Sequence, residues 1–380
     1  MAATPFTVAW DEQAIGRVLD RVRTYEFPPT PEDSGWGYGC DAVFLRGLCA
    51  YWVDGYDWRA AVQELNRWPQ FTADVGGIGL HFAHVVGEAE GRRPLLLTHG
   101  WPSSPFEFWG VIEALAFPSR VGGRAEDAFD LVIPSLPGFG WSEKPRRLVD
   151  QRETAQLFDR LMTDVLGYRH YRAQGGDWGA LVTAMLGLHH AEHARAIQMT
   201  MLFPQPAAPP DTAAEKAWAE AAQGTEQQLG AYSQLQASKP QSLAWAAAGN
   251  PVGQAAWILE RFHDWADLRE RPFEAVFGRD QLLTAVMAYV MTGAFTTGAW
   301  YYAAAKKGET RRLKPGERIE VPTAFTFYPD PRHPRPPRSM AEKGYNVSRW
   351  AEMPRGGHHP AMEVPDLWVE DVRAWARESA

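Results

Sequence analysis

A glycine-rich turn carries the residue whose type and position best suit chemistry. In the segment 171–179, which reads YRAQGGDWG, Gly175, Gly176 and Gly179 surround Asp177. The turn separates a strand-like run from a helix-like run, and small residues allow the sharp bend of a nucleophile elbow. A carboxylate acylates poorly, but it can displace a leaving group at an sp³ carbon and form an enzyme ester that water then hydrolyses. A common glycine turn with an N-cap aspartate is the alternative.

Backbone donors for such a reaction are expected in a second loop. The segment 99–102 (HGWP) directly follows the apolar run PLLLT. HGxP at this place is the oxyanion loop of the α/β-hydrolase fold, so the N–H groups of Trp101 and Trp178 are the predicted oxyanion donors. The segment 137–142 (PGFGWS) follows the apolar run DLVI, where hydrolases of this class carry PGFGxS.

A histidine near the C-terminus is the predicted general base. The segment 355–359 reads RGGHH, and it follows a strand-like run and precedes the last helix-like run. His358 is preferred to His359 because it directly follows the paired glycines. Nucleophile, acid and histidine then occur in the chain order of these hydrolases.

Strand and helix patterns alternate around these motifs, which indicates an α/β protein with a doubly wound, mostly parallel sheet. The predicted strands are Leu80–Val86, Pro94–Thr98, Asp130–Ile133, Tyr171–Gln174, Ala194–Met199, Val321–Phe327 and Ser348–Met353. The predicted helices are Asp11–Thr24, Ala42–Trp52, Trp58–Asn66, Phe106–Leu115, Thr154–Leu166, Trp178–Leu188, Ala213–Ala222, Leu229–Gln236, Val252–Phe262, Asp280–Met291 and Asp366–Ala376.

The same patterns divide the chain into four parts. The first eighty residues look mostly helical, and residues 203–299 are helix-rich without a clear strand. We therefore expect an α/β-hydrolase fold with an N-terminal helical meander and an inserted helical lid. The expected parts are 1–90 for the meander and first strand, 91–202 for the first half of the core, 203–299 for the lid and 300–380 for the second half of the core.

The chain resembles the epoxide hydrolases of the α/β-hydrolase superfamily, in particular the microsomal-type branch. The segment 57–85 (DWRAAVQELNRWPQFTADVGGIGLHFAHV) is similar to the family's N-terminal meander and first strand, and it is more specific than any short motif. The resemblance extends over nearly the whole chain, without the membrane anchor of some members. It implies that neither a metal nor an organic cofactor is needed.

The resemblance also implies two lid tyrosines that hold the epoxide oxygen. Tyr232, in YSQLQASKP, matches the first, and Tyr302 matches the second, with Tyr301 as its competitor. The family places an acid after the strand that corresponds to Val321–Phe327. Asp330 is the nearby carboxylate, one residue earlier than usual, and Glu352 is the alternative.

These residues together predict an epoxide hydrolase. Asp177 would attack an oxirane carbon, and water activated by His358 would release a vicinal diol. A haloalkane or haloacid dehalogenase could use the same aspartate, but the tyrosines and the meander favour the epoxide. A hydrolase-fold protein that binds without turnover would not need the complete set.

Composition limits the partners. The net charge is −8 and the pI about 5.8, which argues against nucleic acid binding. Because no apolar run approaches about 20 residues and the N-terminus does not read as a secretory signal, we expect a cytoplasmic protein that does not span a membrane and binds a small-molecule epoxide. Cys40 and Cys49 are interpreted as packing residues. The basic segment Arg332–Arg338 is interpreted as a solvated loop rather than a binding patch, and a homodimer is one expectation because many relatives are dimeric.

The 17 tryptophans predict the character of the pocket. Trp101 and Trp178 lie on the oxyanion loop and the elbow, so their rings are expected to wall the pocket. Five others lie in or at the edge of the predicted lid, where some could face substrate: Trp218, Trp245, Trp257, Trp265 and Trp300. We therefore expect a dry, aromatic pocket that fits a bulky apolar or aryl epoxide.

Overall fold

The computed structural model describes residues 2–91 and 93–379, in which one nine-stranded sheet forms the centre of the fold. The strands are β1 (Thr4–Phe6), β2 (Gln70–Val75), β3 (Ile78–Val85), β4 (Pro94–Thr98), β5 (Asp130–Pro134), β6 (Tyr171–Gly175), β7 (Ala194–Met199), β8 (Ile319–Phe327) and β9 (Tyr345–Glu352). Their order across the sheet is β1-β2-β3-β5-β4-β6-β7-β8-β9. The first three strands and the β3–β5 pair are antiparallel, and all pairings from β5 to β9 are parallel.

Helices cover both faces of this sheet. The helices are α1 (Glu12–Arg23), α2 (Ala42–Asp54), α3 (Trp58–Leu65), α4 (Ile112–Ala116), α5 (Gln151–Arg160), α6 (Trp178–His189), α7 (Ala213–Leu229), α8 (Ala231–Ser238), α9 (Pro240–Ala247), α10 (Pro251–Trp265), α11 (Phe273–Val276), α12 (Arg279–Val290), α13 (Ala294–Gly308), α14 (Arg338–Glu342), α15 (Pro360–Glu363) and α16 (Pro365–Glu378). The expected helix Phe106–Leu115 is instead a 3₁₀ helix over Pro105–Val111 followed by α4.

The central parallel strands are apolar throughout because both of their faces are covered. In β4, Leu96 contributes to the core on one face, whereas Leu95 and Leu97 contribute to the core on the other. Successive side chains of a strand point to opposite faces, so a continuous apolar run fills two cores at once.

The mostly helical interpretation of the first eighty residues is wrong for two segments. Strand β1 pairs with β2, and β2 forms a hairpin with β3 through Gly76 and Gly77. Both glycines have a positive φ, 63° and 82°, which a two-residue hairpin turn favours. The Gly-Gly pair between two alternating runs was a signal for this hairpin.

Seven helices, α7 to α13, lie between β7 and β8 and form the lid. The predicted lid segment 203–299 contains α7 to α12 and the first part of α13, which continues to Gly308. No single helix of the described residues is long and apolar enough to cross a membrane. The helices α12 and α13 together meet that length and composition test, but they are bent by 79° at the break between them.

Candidate active site

Asp177 lies at the tip of the turn between β6 and α6, with φ 49° and ψ −127°. This conformation is strained for a residue other than glycine, and such strain is typical of functional turns. Neighbouring glycines are needed because the backbone passes very close. A Cβ on Gly179 would lie 1.9 Å from the carbonyl oxygen of Thr98, and one on Gly100 would lie 2.3 Å from Asp177.

The predicted oxyanion donors surround this carboxylate. The Trp101 N–H donates to Asp177 Oδ1 at 2.8 Å, and the Trp178 N–H also contacts the carboxylate. Burial by itself would raise the pKa of Asp177, but His358 and the two N–H donors hold it below its usual value. Asp177 is therefore an anion, and the structure places both predicted donors beside it.

His358 stands between two carboxylates. Its Nε2 is 3.4 Å from Asp177 Oδ2, and its Nδ1 donates to Asp330 Oδ2 at 2.8 Å. Burial opposes the cationic form, but Asp330 and Asp177 raise the pKa of His358 to about 10. His359, the alternative, instead stacks on Phe262 with 4.6 Å between the ring centroids.

Asp330, which follows β8, is brought to His358 despite its early position in the sequence. Burial acts to raise the pKa of Asp330, but His358 and His333 hold it well below its usual range. Glu352, the alternative acid, is 51% exposed and pairs with Arg335. The geometry therefore selects Asp330 as the partner of His358.

Two tyrosines of the lid complete the group. Tyr232 of α8 stacks on the ring of Trp101 with 5.2 Å between the centroids, and Tyr302 of α13 meets Tyr232 edge to face at 5.7 Å. Burial raises the pKa of both phenols, so both are protonated near neutral pH. The competitor Tyr301 donates instead to the Thr154 hydroxyl at 2.8 Å.

His333 is a neighbour that sequence reasoning missed. Its Nδ1 lies 3.0 Å from Asp330 Oδ2, the oxygen that also accepts from His358, and the two imidazoles are 5.2 Å apart. Among the described residues, these three offer the one set of ligand atoms close enough to share a metal ion. Both imidazoles are, however, already turned toward Asp330 in hydrogen bonds. The sequence signal that could have identified His333 is its position three residues after Asp330.

The interpretation of Arg332–Arg338 as a solvated loop is wrong at its start. The Arg332 side chain is 8% exposed and pairs with Glu226 of α7. The loop is held there because the Glu226 carboxylate pairs with a guanidinium that would otherwise be buried without a partner charge. Arg332 and His333 consequently border the catalytic cavity.

The cavity above Asp177 has a volume of about 420 Å³. Aromatic side chains form much of its lining: Trp178, Phe203, Trp218, Tyr232, Tyr302 and Phe327. The Trp101 ring does not line it, contrary to expectation, because it is fully buried behind Tyr232. Trp245 is 74% exposed and faces away. The lining is not entirely aromatic, since Arg311, Arg312, Arg332 and Glu226 form a charged wall.

The chain is similar to two family models and to known proteins over most of its length. Residues 3–108 match the family model described as "Epoxide hydrolase N terminus", and residues 93–246 match the model of the "alpha/beta hydrolase fold". The chain is 35% identical to a Stigmatella aurantiaca protein that is named an epoxide hydrolase by inference. The alignment covers 99% of this chain and 85% of that protein. The chain is 30% identical to "Epoxide hydrolase 1" of Oryctolagus cuniculus, and this alignment covers 97% of this chain and 87% of that protein.

Solved structures show the same relationship. The juvenile hormone epoxide hydrolase of Bombyx mori superposes with a TM-score of 0.88 at 25% identity, over 99% of this chain and 94% of that one. The Aspergillus niger epoxide hydrolase superposes with a TM-score of 0.84 at 27% identity, over 100% of this chain and 97% of that one. The predicted fold class and enzyme class are thereby confirmed. The chain belongs to the epoxide hydrolase family of enzymes with the α/β-hydrolase fold.

Proposed function

We propose that this epoxide hydrolase works through an alkyl ester of Asp177. The observation that carries the proposal is the position of His358, whose two ring nitrogens face Asp177 and Asp330 at 3.4 Å and 2.8 Å. A histidine held in this way can serve the ester on one side while the acid on the other side sets its tautomer.

In the first step, Asp177 Oδ2 attacks an oxirane carbon, since Oδ1 is held by the Trp101 N–H. The new carbon–oxygen bond forms as the oxirane carbon–oxygen bond breaks. The released oxygen takes a proton from Tyr232 or Tyr302. Two phenols that are protonated at neutral pH supply both a proton and a second hydrogen bond to this oxygen.

In the second step, His358 Nε2 takes a proton from water and hydroxide attacks the Asp177 carbonyl. The N–H groups of Trp101 and Trp178 stabilise the negative charge that develops on oxygen. The ester bond breaks, and the departing alkoxide receives the proton from His358. The Asp177 carboxylic acid finally gives its proton to His358, which restores the starting charges, so the sum is epoxide plus water to diol.

The charge of Asp177 determines when His358 can act as a base, and so sets the order of the two steps. While Asp177 is an anion, it helps Asp330 keep His358 protonated. Esterification removes that charge, so the pKa of His358 falls. The imidazolium then gives its proton to the phenolate that ring opening left, and the neutral imidazole is available as a base only while the ester is present.

Oxygen labelling tests the covalent scheme. In a single turnover in ¹⁸O water, the label should enter the Asp177 carboxylate, and the diol should take its new oxygen from the enzyme. Label in the diol on that first turnover would mean direct attack by water. The Asp177→Ala variant is the matched control and should show neither labelling nor turnover.

A dehalogenase is the alternative use of the same aspartate. A halide leaves without a proton, so it needs no buried phenol, whereas Tyr232 and Tyr302 are both buried and protonated here. Halide release by the wild-type enzyme, with epoxides left untouched, would favour this alternative.

We propose aryl or bulky apolar epoxides as substrates because aromatic side chains form much of the cavity lining.

A further inference from the structure

The charged wall of the catalytic cavity holds three arginines, of which Arg312 is exposed. Arg332 is buried and its guanidinium is paired with the Glu226 carboxylate. Arg311, which follows α13, is half-buried and donates from Nη2 to the Ser233 hydroxyl at 3.0 Å. Within the part of the chain that the structure describes, no carboxylate forms an ion pair with Arg311. Arg311 is therefore the half-buried arginine of this wall whose charge no carboxylate of the described residues pairs with.

The surroundings of Arg311 leave most of its hydrogen-bonding capacity unused. Its Cζ atom lies 5.2 Å from the ring centroid of Trp178 and 5.7 Å from that of Tyr302. Aromatic faces attract a cation but accept few hydrogen bonds. A guanidinium has five N–H donors in a planar fork, which matches the two oxygens of a carboxylate. Ser233 occupies one donor, so the fork remains available.

Arg311 also stands where two cavities adjoin. The catalytic cavity of about 420 Å³ and a second cavity of about 790 Å³ share five lining residues: Glu226, Ser233, Tyr302, Arg311 and Arg312. The second cavity is additionally bordered by Lys306, Lys314 and Glu309, so its lining carries more positive than negative side chains. Positive charge along this approach would draw an anion toward Arg311.

We propose that Arg311 binds a carboxylate carried by the substrate, so that the preferred substrates are aryl epoxides with an anionic group. This inference rests on the proposed function of the Asp177 site. The aromatic walls hold the ring, and the guanidinium holds the carboxylate. Because Arg311 packs on Trp178 and Tyr302 rather than on Asp177, an apolar spacer must separate the carboxylate from the oxirane.

A matched set of epoxides tests the inference. We would compare kcat/KM for 4-(oxiran-2-yl)benzoate, its neutral methyl ester and styrene oxide. In the wild-type enzyme, the carboxylate should exceed the methyl ester by about tenfold or more. Equal values for the acid and the ester would overturn the inference.

Variants locate the effect. The Arg311→Met substitution should bring the ratio of acid to ester close to one, and Arg311→Lys should retain part of it because the charge remains. Arg146→Met is the control, because Arg146 is exposed and lines neither cavity, and it should keep the wild-type ratio. A ratio that survives Arg311→Met would contradict the assignment. An equal fall for acid and ester would mean that Arg311 acts only through the tyrosine phenols.

A measurement on the wild-type enzyme covers the case in which the variants do not fold. 4-Ethylbenzoate should inhibit styrene oxide hydrolysis about tenfold more strongly than 4-ethylbenzamide, and equal inhibition would count against the carboxylate site. Failure of the proposed epoxide hydrolysis would give a different result from failure of the carboxylate site. If styrene oxide and the methyl ester are also not hydrolysed, the epoxide chemistry at Asp177 is what fails.

Discussion

The ring of Tyr302 meets the ring of Trp178 edge to face, with 4.6 Å between their centroids. Tyr302 belongs to the lid, and Trp178 is the first residue after the nucleophile. This contact therefore ties the lid to the elbow and sets where the Tyr302 hydroxyl, which we propose as a proton donor, lies relative to Asp177. Packing of α13 against the core thus becomes part of the chemistry.

Single removal of either phenol should slow ring opening without stopping it. We expect Tyr232→Phe and Tyr302→Phe each to lower the rate of ester formation by about 10- to 100-fold, because one acid remains. The double variant should lose turnover. Rapid-quench measurement of the enzyme ester would show this, and complete loss in either single variant would contradict a paired donor.

Tyr301→Phe is the control for these variants. Its hydroxyl donates to Thr154 and does not contact the other two phenols. We expect ester formation at the wild-type rate and a loss of about 1 kcal/mol in the free energy of unfolding, measured by urea denaturation. A large fall in the rate of ester formation would mean that the adjacent tyrosine had been misassigned.

Removal of the charge on Asp330 should separate the two halves of the reaction. Asp330→Asn leaves the Asp177 carboxylate in place but disturbs the tautomer of His358, so hydrolysis of the ester should slow on the order of 10³- to 10⁴-fold. The enzyme ester should then accumulate and be visible by intact mass spectrometry. Glu352→Gln, at the exposed alternative acid, should behave as wild type.

The two half-reactions should also differ in their dependence on pH. In the free enzyme the pKa of His358 is about 10, so Asp177 faces an imidazolium throughout the neutral range and ester formation should stay level. In the ester one negative neighbour is gone, and the pKa falls. The rate of ester hydrolysis should rise with pH around the lowered pKa of His358, which lies below 10, as the imidazolium loses its proton. A hydrolysis rate that is independent of pH, measured by rapid quench, would argue against His358 as the base.

Two glycine substitutions should change stability in opposite directions. A Cβ on Gly179 would meet the Thr98 carbonyl oxygen at 1.9 Å, whereas one on Gly224 of α7 would meet no atom within 4 Å. Gly179→Ala should therefore destabilise the fold by about 3 kcal/mol or more. Gly224→Ala should stabilise it by about 0.5–1 kcal/mol. Chemical denaturation of both variants checks the sign, and equal effects would refute the close approach.

Different parts of the site were predictable to different degrees. The elbow is encoded within a few consecutive residues because its bend admits little besides glycine around Asp177. Adjacent positions on a helix point about 100° apart, so the sequence left Tyr301 and Tyr302 open until the packing of α13 was seen. The buried state of Arg332 was likewise invisible, since it depends on Glu226, which lies 106 residues away in the chain.

The sequence by itself determined the alternation of strands and helices, the sharp turn that carries Asp177 and the loops that carry Trp101 and His358. Each of these is specified by covalent geometry or by an apolar period within a short stretch of chain. Only the tertiary structure decided that Asp330 shares one oxygen between His358 and His333, and that Arg311 lies between two cavities without an ion pair to any carboxylate of residues 2–91 and 93–379. Such relationships depend on how the sheet and the lid bring distant segments together, and no local pattern records that.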